Sequence, residues 1–284
     1  MSNLAIAGIQ THITTQNNIE HLKQKVELLM YIYPWTQMVV FSELAASGPI
    51  HATAEEMGGP YETACQEIAL KHGVWLIPGS YFEKQGELVY NTAPVINPAG
   101  EIVTRYRKMF PFTPYEKGVT PGTEFCVFDV PDVGRIGLNI CYDVWFPEIN
   151  RTLTTMGAEV IISPVLAHFI DRDMDLVIAQ ANAAMFQTYM FHINGLGAGG
   201  NGRSLVVSPS GRILHQASVE EELIPIEVDF KKVRRQRERG LRNMGQPMKS
   251  FRDRPVDFPV YDRENFDATY LNSLGELKLP VRGE

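Results

Sequence analysis

The chain has 284 residues, 44% hydrophobic and 21% charged, the composition of an ordinary soluble globular protein with the length for one large domain or two small ones. A formal net charge of −7 argues against a nucleic-acid partner, which usually needs a basic face. No apolar run approaches the roughly 18 residues that a membrane helix needs, so no membrane partner is expected.

Met1–Gln10 lacks the basic start and long apolar region of a signal peptide. Leu4–Ile9 reads as a buried strand, and Asn18–Tyr31 as a helix with Ile19, Leu22, Val26 and Leu29 at helical spacing. Met38–Phe41 is a second strand that ends at Ser42-Glu43. Tyr61–His72 is predicted helical, with Gly73 as its stop. Val74–Tyr81, Leu88–Ile96 and Glu101–Arg107 follow as strands, the last two around the turn Asn97-Pro-Ala-Gly100. Phe125–Val130 and Arg135–Ile140 form another pair around Pro131-Asp-Val-Gly134. Helices are then predicted at Pro147–Met156 and Asp173–Tyr189, with a strand at Val160–Ser163 between them. Strands near Met190–Asn194, Ser204–Ser208, Ile213–His215 and Leu223–Val228 complete the pattern. Crossover units and hairpins together imply an α/β fold with mixed sheets flanked by helices. Residues 241–284 differ, being rich in Arg, Asp and Pro with Phe251, Phe258, Tyr261, Phe266 and Tyr270 spread through them. So many aromatics do not suit a floppy tail. The expected organisation is a domain over 1–240 and a C-terminal extension over 241–284 that packs on the domain or on a partner subunit.

The three cysteines have no framework spacing, which argues against a disulfide scaffold and for a reducing, cytoplasmic location. Cys65 in a helical pattern and Cys126 inside a strand read as small core residues. Cys141 differs. The run Arg135-Ile-Gly-Leu-Asn-Ile-Cys-Tyr-Asp-Val-Trp-Phe-Pro-Glu148 brings its thiol to a turn at a strand end, and Pro147 opens a helix beside it. Partial positive charge at a helix start would favour a thiolate there. A nucleophilic thiol needs a group to take its proton and donors for the oxyanion it creates. Any of the seven histidines could be that base, since none has a local relation to Cys141. Other candidates are Glu43, closing an apolar strand, and Lys108, ending Arg105-Tyr-Arg-Lys108. A charge placed directly after an apolar strand is costly to bury unless paired.

Three segments in order resemble the signatures of the nitrilase, or carbon–nitrogen hydrolase, superfamily. Val40-Phe-Ser-Glu-Leu44 is similar to its glutamate motif, Tyr106-Arg-Lys-Met109 to its lysine motif, and Asn139-Ile-Cys-Tyr-Asp-Val-Trp-Phe-Pro-Glu148 to its cysteine motif. Pro114-Tyr-Glu116 resembles the family's second glutamate, and Gly202–Gly211 a late strand–turn–strand. The resemblance implies a four-layer α-β-β-α sandwich of two mixed sheets. It implies catalysis by Glu43 as base, Lys108 with the Tyr142 backbone N–H as oxyanion partners, and Cys141 as nucleophile, with Glu116 orienting Lys108 or water. It implies no metal and no organic cofactor, and a homodimer or higher homo-oligomer.

Cys-Tyr-Asp resembles the amidase and carbamoylase branches, whereas true nitrilases usually carry Cys-Trp-Glu. Carbamoylases of D-amino acids typically place arginines just after the cysteine, where this chain has Val144 and Trp145. A small carboxamide is therefore the expected substrate, then an N-carbamoyl amine or ureide, then a nitrile; a non-catalytic assembly module is the reading outside enzymes. Phe112, Tyr115, Tyr142, Trp145 and His168 are the expected substrate-binding residues. The family's Arg-Ala-x-Glu-Asn pattern is replaced here in Ala179–Gln187. The Gly-rich Asn194–Gly202 lacks the Lys-Ser/Thr end of a phosphate loop and reads as a flexible loop bordering the site.

Overall fold

The computed structural model describes residues 2–278 apart from 114, 169 and 170, so Pro114 of the second glutamate motif and the last residues of the extension lie outside the described residues. Two mixed sheets form the centre. The first runs in the order Glu222–Asp229, Asn3–Gln10, Met38–Val40, Trp75–Ile77, Leu88–Ile96 and Tyr81–Gln85, with Ile102–Arg107 also paired to Leu88–Ile96. The second runs Ile213–Gln216, Leu205–Val207, Tyr189–Asn194, Val160–Val165, Gly134–Leu138 and Cys126–Val130.

The period-2 alternation of strands sorts their side chains into layers. Leu4, Ile6, Met38 and Val40 face Ile136, Leu138, Val160, Ile162 and Phe191 across a core shared by both sheets. Their neighbours Ala7, Ile9 and Val39 point outward against Leu22, Val26, Cys65 and Ile68 of the helices Ile19–Ile32 and Pro60–His72. On the other side Ile161 and Met190 pack with Ile149, Leu153, Leu176 and Ala179 of the helices Pro147–Thr155 and Arg172–Met185. The result is the α-β-β-α sandwich. Strands covered on both faces read as nearly continuous apolar runs, which is why they were visible in the sequence.

Three stretches depart from expectation. The strand predicted over Val74–Tyr81 splits into Trp75–Ile77 and Tyr81–Gln85 at Pro78-Gly79. Gly79 has φ of 82° and runs so close to the Ser42 carbonyl that a Cβ would sit 1.8 Å from its oxygen, so only glycine fits. The helix predicted to reach Tyr189 ends at Met185, because Gln187 adopts φ of 48° and turns the chain into the next strand. A helix over Phe230–Arg239, absent from the sequence reading, buries Phe230 and Val233 and is held further by Arg234 on Glu159 and by Arg237 on the Ala158 and Gln187 carbonyls, and Asp229 caps its start.

Past it, Pro247–Asp253 and Thr269–Ser273 are short helices with no buried residue. Phe251 lies against the Arg151 guanidinium at 4.6 Å, and the Tyr261 hydroxyl donates to Glu148 at 2.9 Å. Among the described residues, no helix is long and apolar enough to cross a membrane.

Candidate active site

Met38–Val40, Trp75–Ile77 and Asn3–Gln10 are parallel neighbours, and so are Gly134–Leu138, Val160–Val165 and Tyr189–Asn194. Ile102–Arg107 is two antiparallel steps from Trp75–Ile77, which restores the same direction. Glu43, Lys108, Cys141 and the Leu166–His168 segment each follow the carboxyl end of one of these strands, and they converge. The two sheets are tied there: the Glu43 N–H donates to the Val165 carbonyl at 3.1 Å, and the Leu166 N–H to Glu43 Oε2 at 2.9 Å.

Lys108 is the hub. Its Nζ lies 2.7 Å from Glu43 Oε1 and 2.6 Å from Glu116 Oε2, with Lys108 1% and Glu43 2% exposed. Asn91, buried in Leu88–Ile96, donates to Glu43 Oε1 at 2.8 Å and to Glu116 Oε1 at 3.0 Å. The Phe112 N–H also donates to Glu116. Lys108, Phe112 and Glu116 share one loop, Glu43 follows Met38–Val40 and Asn91 lies in Leu88–Ile96, so the cluster ties that loop to two other segments.

Cys141 begins a 3₁₀ turn, Cys141–Trp145, with φ of 48°; Leu44 beside the glutamate has φ of 50°. Such angles are unfavourable for side chains of this size and persist only where surroundings enforce them. Asp143 does the enforcing at the cysteine. Its carboxylate accepts from the Ile140 N–H at 3.0 Å, the Tyr106 hydroxyl at 2.6 Å and the Phe110 N–H at 2.9 Å. Burial pushes its carboxyl up to about 6. The Cys141 thiol is half-buried and donates to the Leu166 carbonyl at 3.6 Å.

Electrostatics revise the expectation of a thiolate. Burial pushes the Cys141 thiol well up, and the Glu43 charge adds to this more than Lys108 offsets. Burial also raises Glu43; Lys108 and a hydrogen bond with the thiol oppose that rise without cancelling it. Burial would lower Lys108, but Glu43 and Glu116 outweigh it and hold the ammonium charged. Glu116 is pushed up by burial yet kept below the usual carboxylate range by Lys108. The resting site is a neutral thiol beside a carboxylate of elevated basicity, with a fixed cation alongside.

Residues 3–238 match the carbon-nitrogen hydrolase family. This chain belongs to that family. It is 31% identical over 242 residues to a nitrilase of Pyrococcus abyssi, covering 78% of this chain and 86% of that protein. It is 28% identical over 239 residues to a 2-oxoglutaramate amidase of Bacillus subtilis, covering 79% of this chain and 90% of the relative. A carbon-nitrogen hydrolase structure from Helicobacter pylori G27 superposes with a TM-score of 0.77 at 28% identity, covering 93% of this chain and 98% of that one. The chain is thus an enzyme of a carbon–nitrogen hydrolase family that includes amidases.

In this family member a cavity of about 410 Å³ opens on Glu43, Lys108, Cys141 and Glu116. Phe112, Tyr115 and His168 line it, at the places the sequence suggested. Tyr142 and Trp145 do not line it. In a 3₁₀ turn, positions three apart eclipse, so these two share one side; their rings lie 5.9 Å apart and Tyr142 packs edge-on against Phe112 and Phe146. Trp145 packs against the core beneath the outer helices. The walls the sequence did not reveal are Leu44, Pro49, His51, Phe82, Leu166, Ala167 and Asp171. Asn91 was also missed, since a polar residue inside an apolar strand has no motif of its own. The Gly-rich loop is anchored: Asn194 accepts from the Ala167 N–H and donates to the Ala167 carbonyl, each at 3.0 Å, and donates to the Gly202 carbonyl at 2.8 Å.

A raised thiol keeps its proton below its folded value, so alkylation of Cys141 by iodoacetamide should accelerate steadily from pH 6 to 9, about tenfold per unit as the thiolate fraction grows. Cys65 and Cys126, both buried and both pushed up, the latter to about 11, should label far more slowly. Peptide mass spectrometry reads all three. A Cys141 rate that is flat across this range would mean a resting thiolate and contradict the electrostatics above.

Proposed function

We propose that the chain is a cysteine-dependent amidase that hydrolyses a small carboxamide to an acid and ammonia through a thioester. The observation that supports this most is the meeting of Glu43, Lys108 and Cys141 at one cavity with Lys108 ion-paired to both glutamates. Glu43 takes the thiol proton as the sulfur attacks the carbonyl carbon. The carbonyl oxygen becomes an oxyanion held by the Lys108 ammonium and the Tyr142 backbone N–H. When the tetrahedral adduct collapses, the C–N bond breaks and nitrogen leaves as ammonia with the proton from Glu43. Glu43 then takes a proton from water, hydroxide adds to the thioester carbon, and the C–S bond breaks to give the acid and the thiol. Glu116 positions Lys108 throughout.

A carboxamide suits Cys141-Tyr-Asp143 better than a nitrile, and Val144 and Trp145 offer no guanidinium for an amino-acid carboxylate. The compound in the Bacillus relative's name, 2-oxoglutaramate, also carries a carboxylate, on a 2-oxo acid; here Lys108, the cation among the described cavity residues, is already shared by two glutamates. Small size follows from a cavity of about 410 Å³. A homodimer or higher homo-oligomer is the proposed assembly, with 241–284 as an extension of the 1–240 domain that contributes to it; Phe258, Tyr261 and Tyr270, at 45%, 50% and 75% exposure, offer apolar surface for the contact. The mass of the full chain in solution reads this directly, a monomer at working concentration counting against it.

Ammonia release from a panel of amides, ureides and nitriles tests the activity. Primary carboxamides should be the best substrates, and Cys141→Ala should lower turnover by at least roughly a thousandfold. Glu116→Gln should lower kcat by roughly a hundredfold, because Lys108 loses one of the anions that aim it. Carbon dioxide appearing with ammonia from a ureide at the higher rate would replace the amidase reading with the carbamoyl-hydrolase one. Hydrolysis retained by Cys141→Ala would end the thioester mechanism.

A further inference from the structure

The cavity carries one ionisable group that the chemistry above does not use. Asp171 lines it from the start of the helix Arg172–Met185. An aspartate at that position ordinarily caps the helix with its side chain, yet Asp171 makes no such bond. It forms no ion pair among the described residues, and the hydrogen bond that bears on its carboxylate comes from its own backbone.

The adjacent guanidinium does not neutralise it. Arg172 is fully buried and committed elsewhere: one terminal nitrogen pairs with Asp175, and the other donates to the Arg203 carbonyl at 2.6 Å. Asp175 is in turn held by His192 at 2.7 Å. Burial pushes the Asp171 carboxyl up and the Asp175 charge adds to it, while Arg172 and His168 pull the other way. Lys108, the cation among the described cavity residues, faces Glu43 and Glu116. The residues next in sequence to Tyr115, His168 and Asp171 that are not described, Pro114, Phe169 and Ile170, carry no charge. The cavity therefore presents at Asp171 a carboxylate without a counter-cation among the described residues, on a chain of net charge −7. Such a field favours a cationic ligand and disfavours an anionic one.

We propose that Asp171 is a specificity-determining residue, and that the preferred substrate is an amide whose far end carries an ammonium group. This rests on the amidase reading for the chemistry at Cys141 but not for the charge selection. The amide end meets Cys141 and Lys108; the ammonium meets Asp171; Phe82, Phe112 and Leu166 enclose the methylene chain between them. Leucine and phenylalanine walls suit methylenes, and a carboxylate–ammonium hydrogen bond is among the stronger polar contacts.

The test compares kcat/KM for three amides of similar length: 4-aminobutanamide, pentanamide and succinamate, the cationic, neutral and anionic members. The wild-type protein should prefer the cationic amide over the neutral one by about tenfold or more, and the neutral over the anionic, the size expected of one charge-assisted hydrogen bond. Asp171→Asn should bring the cationic-to-neutral ratio close to one and narrow the gap to succinamate. A ratio that Asp171→Asn leaves unaltered, or a wild-type preference for succinamate, would overturn the proposal. Should the variant fold poorly, protection of the wild-type Cys141 from iodoacetamide gives the same answer: butylammonium should protect at lower concentration than butyrate, and the reverse order would overturn it. If no amide is turned over but amino-substituted ureides or nitriles are preferred in an Asp171-dependent way, the amidase reading fails and the charge selection stands.

Discussion

One lysine ammonium between two carboxylates in a nearly dry site sets the terms for everything around it. Lys108 alone would lose its proton on burial, and Glu43 or Glu116 alone would gain one. Together they keep a cation and an anion within hydrogen-bond distance, at 2.7 Å and 2.6 Å from the same nitrogen. The sum is one negative charge in excess. Burial raises Glu43 against the pull of Lys108, and burial together with the Glu43 charge keeps the proton on the Cys141 thiol. A charge arrangement that opposes a resting thiolate is compatible with nucleophilic chemistry when the base stands beside the sulfur and receives the proton as attack begins. Asn91 completes the balance by donating to both carboxylates, so neither oxygen set is left to draw the lysine away from the other.

The frame pays for this geometry in backbone strain. Leu44 and Cys141 both adopt positive φ, and each is held by contacts on other elements: the Leu44 N–H donates to the Ser80 hydroxyl at 2.9 Å, and Asp143 gathers three donors under the cysteine turn. Gly79 allows the chain between two strands of the first sheet to touch the Ser42 carbonyl, next to the glutamate. The second sheet contributes from its own strand ends, through Val165 and Leu166. Stability of the sandwich and precision of the site are therefore linked, because the bonds that orient Glu43 are also bonds between sheets.

Much of this was legible in the sequence because burial on both faces leaves a simple trace. Met38–Val40, Val160–Val165 and Tyr189–Asn194 read as apolar runs, and the charged or thiol residues just beyond such runs stood out against them. What failed to show had physical reasons. Tyr142 and Trp145 were expected on the cavity wall, but the turn that carries them is 3₁₀ and turns both rings to one side. Asn91 hides in the alternation of its strand, and its importance lies in partners remote in sequence. Asp171 precedes the predicted start of its helix at Asp173, and no local pattern marks its side chain as one that lines a cavity. The helix Phe230–Arg239 carries almost no apolar periodicity, since it buries two apolar residues and is held otherwise by the side chains of Arg234, Gln236 and Arg237.

The most direct measurement of the covalent mechanism is acid-quenched mass spectrometry of the protein during turnover of a primary carboxamide. A thioester route through Cys141 predicts an adduct of one acyl group, without the amide nitrogen, on the peptide that contains Cys141, and its absence from Cys141→Ala. Turnover with no adduct on that peptide, or an acyl group on a different residue, would contradict it.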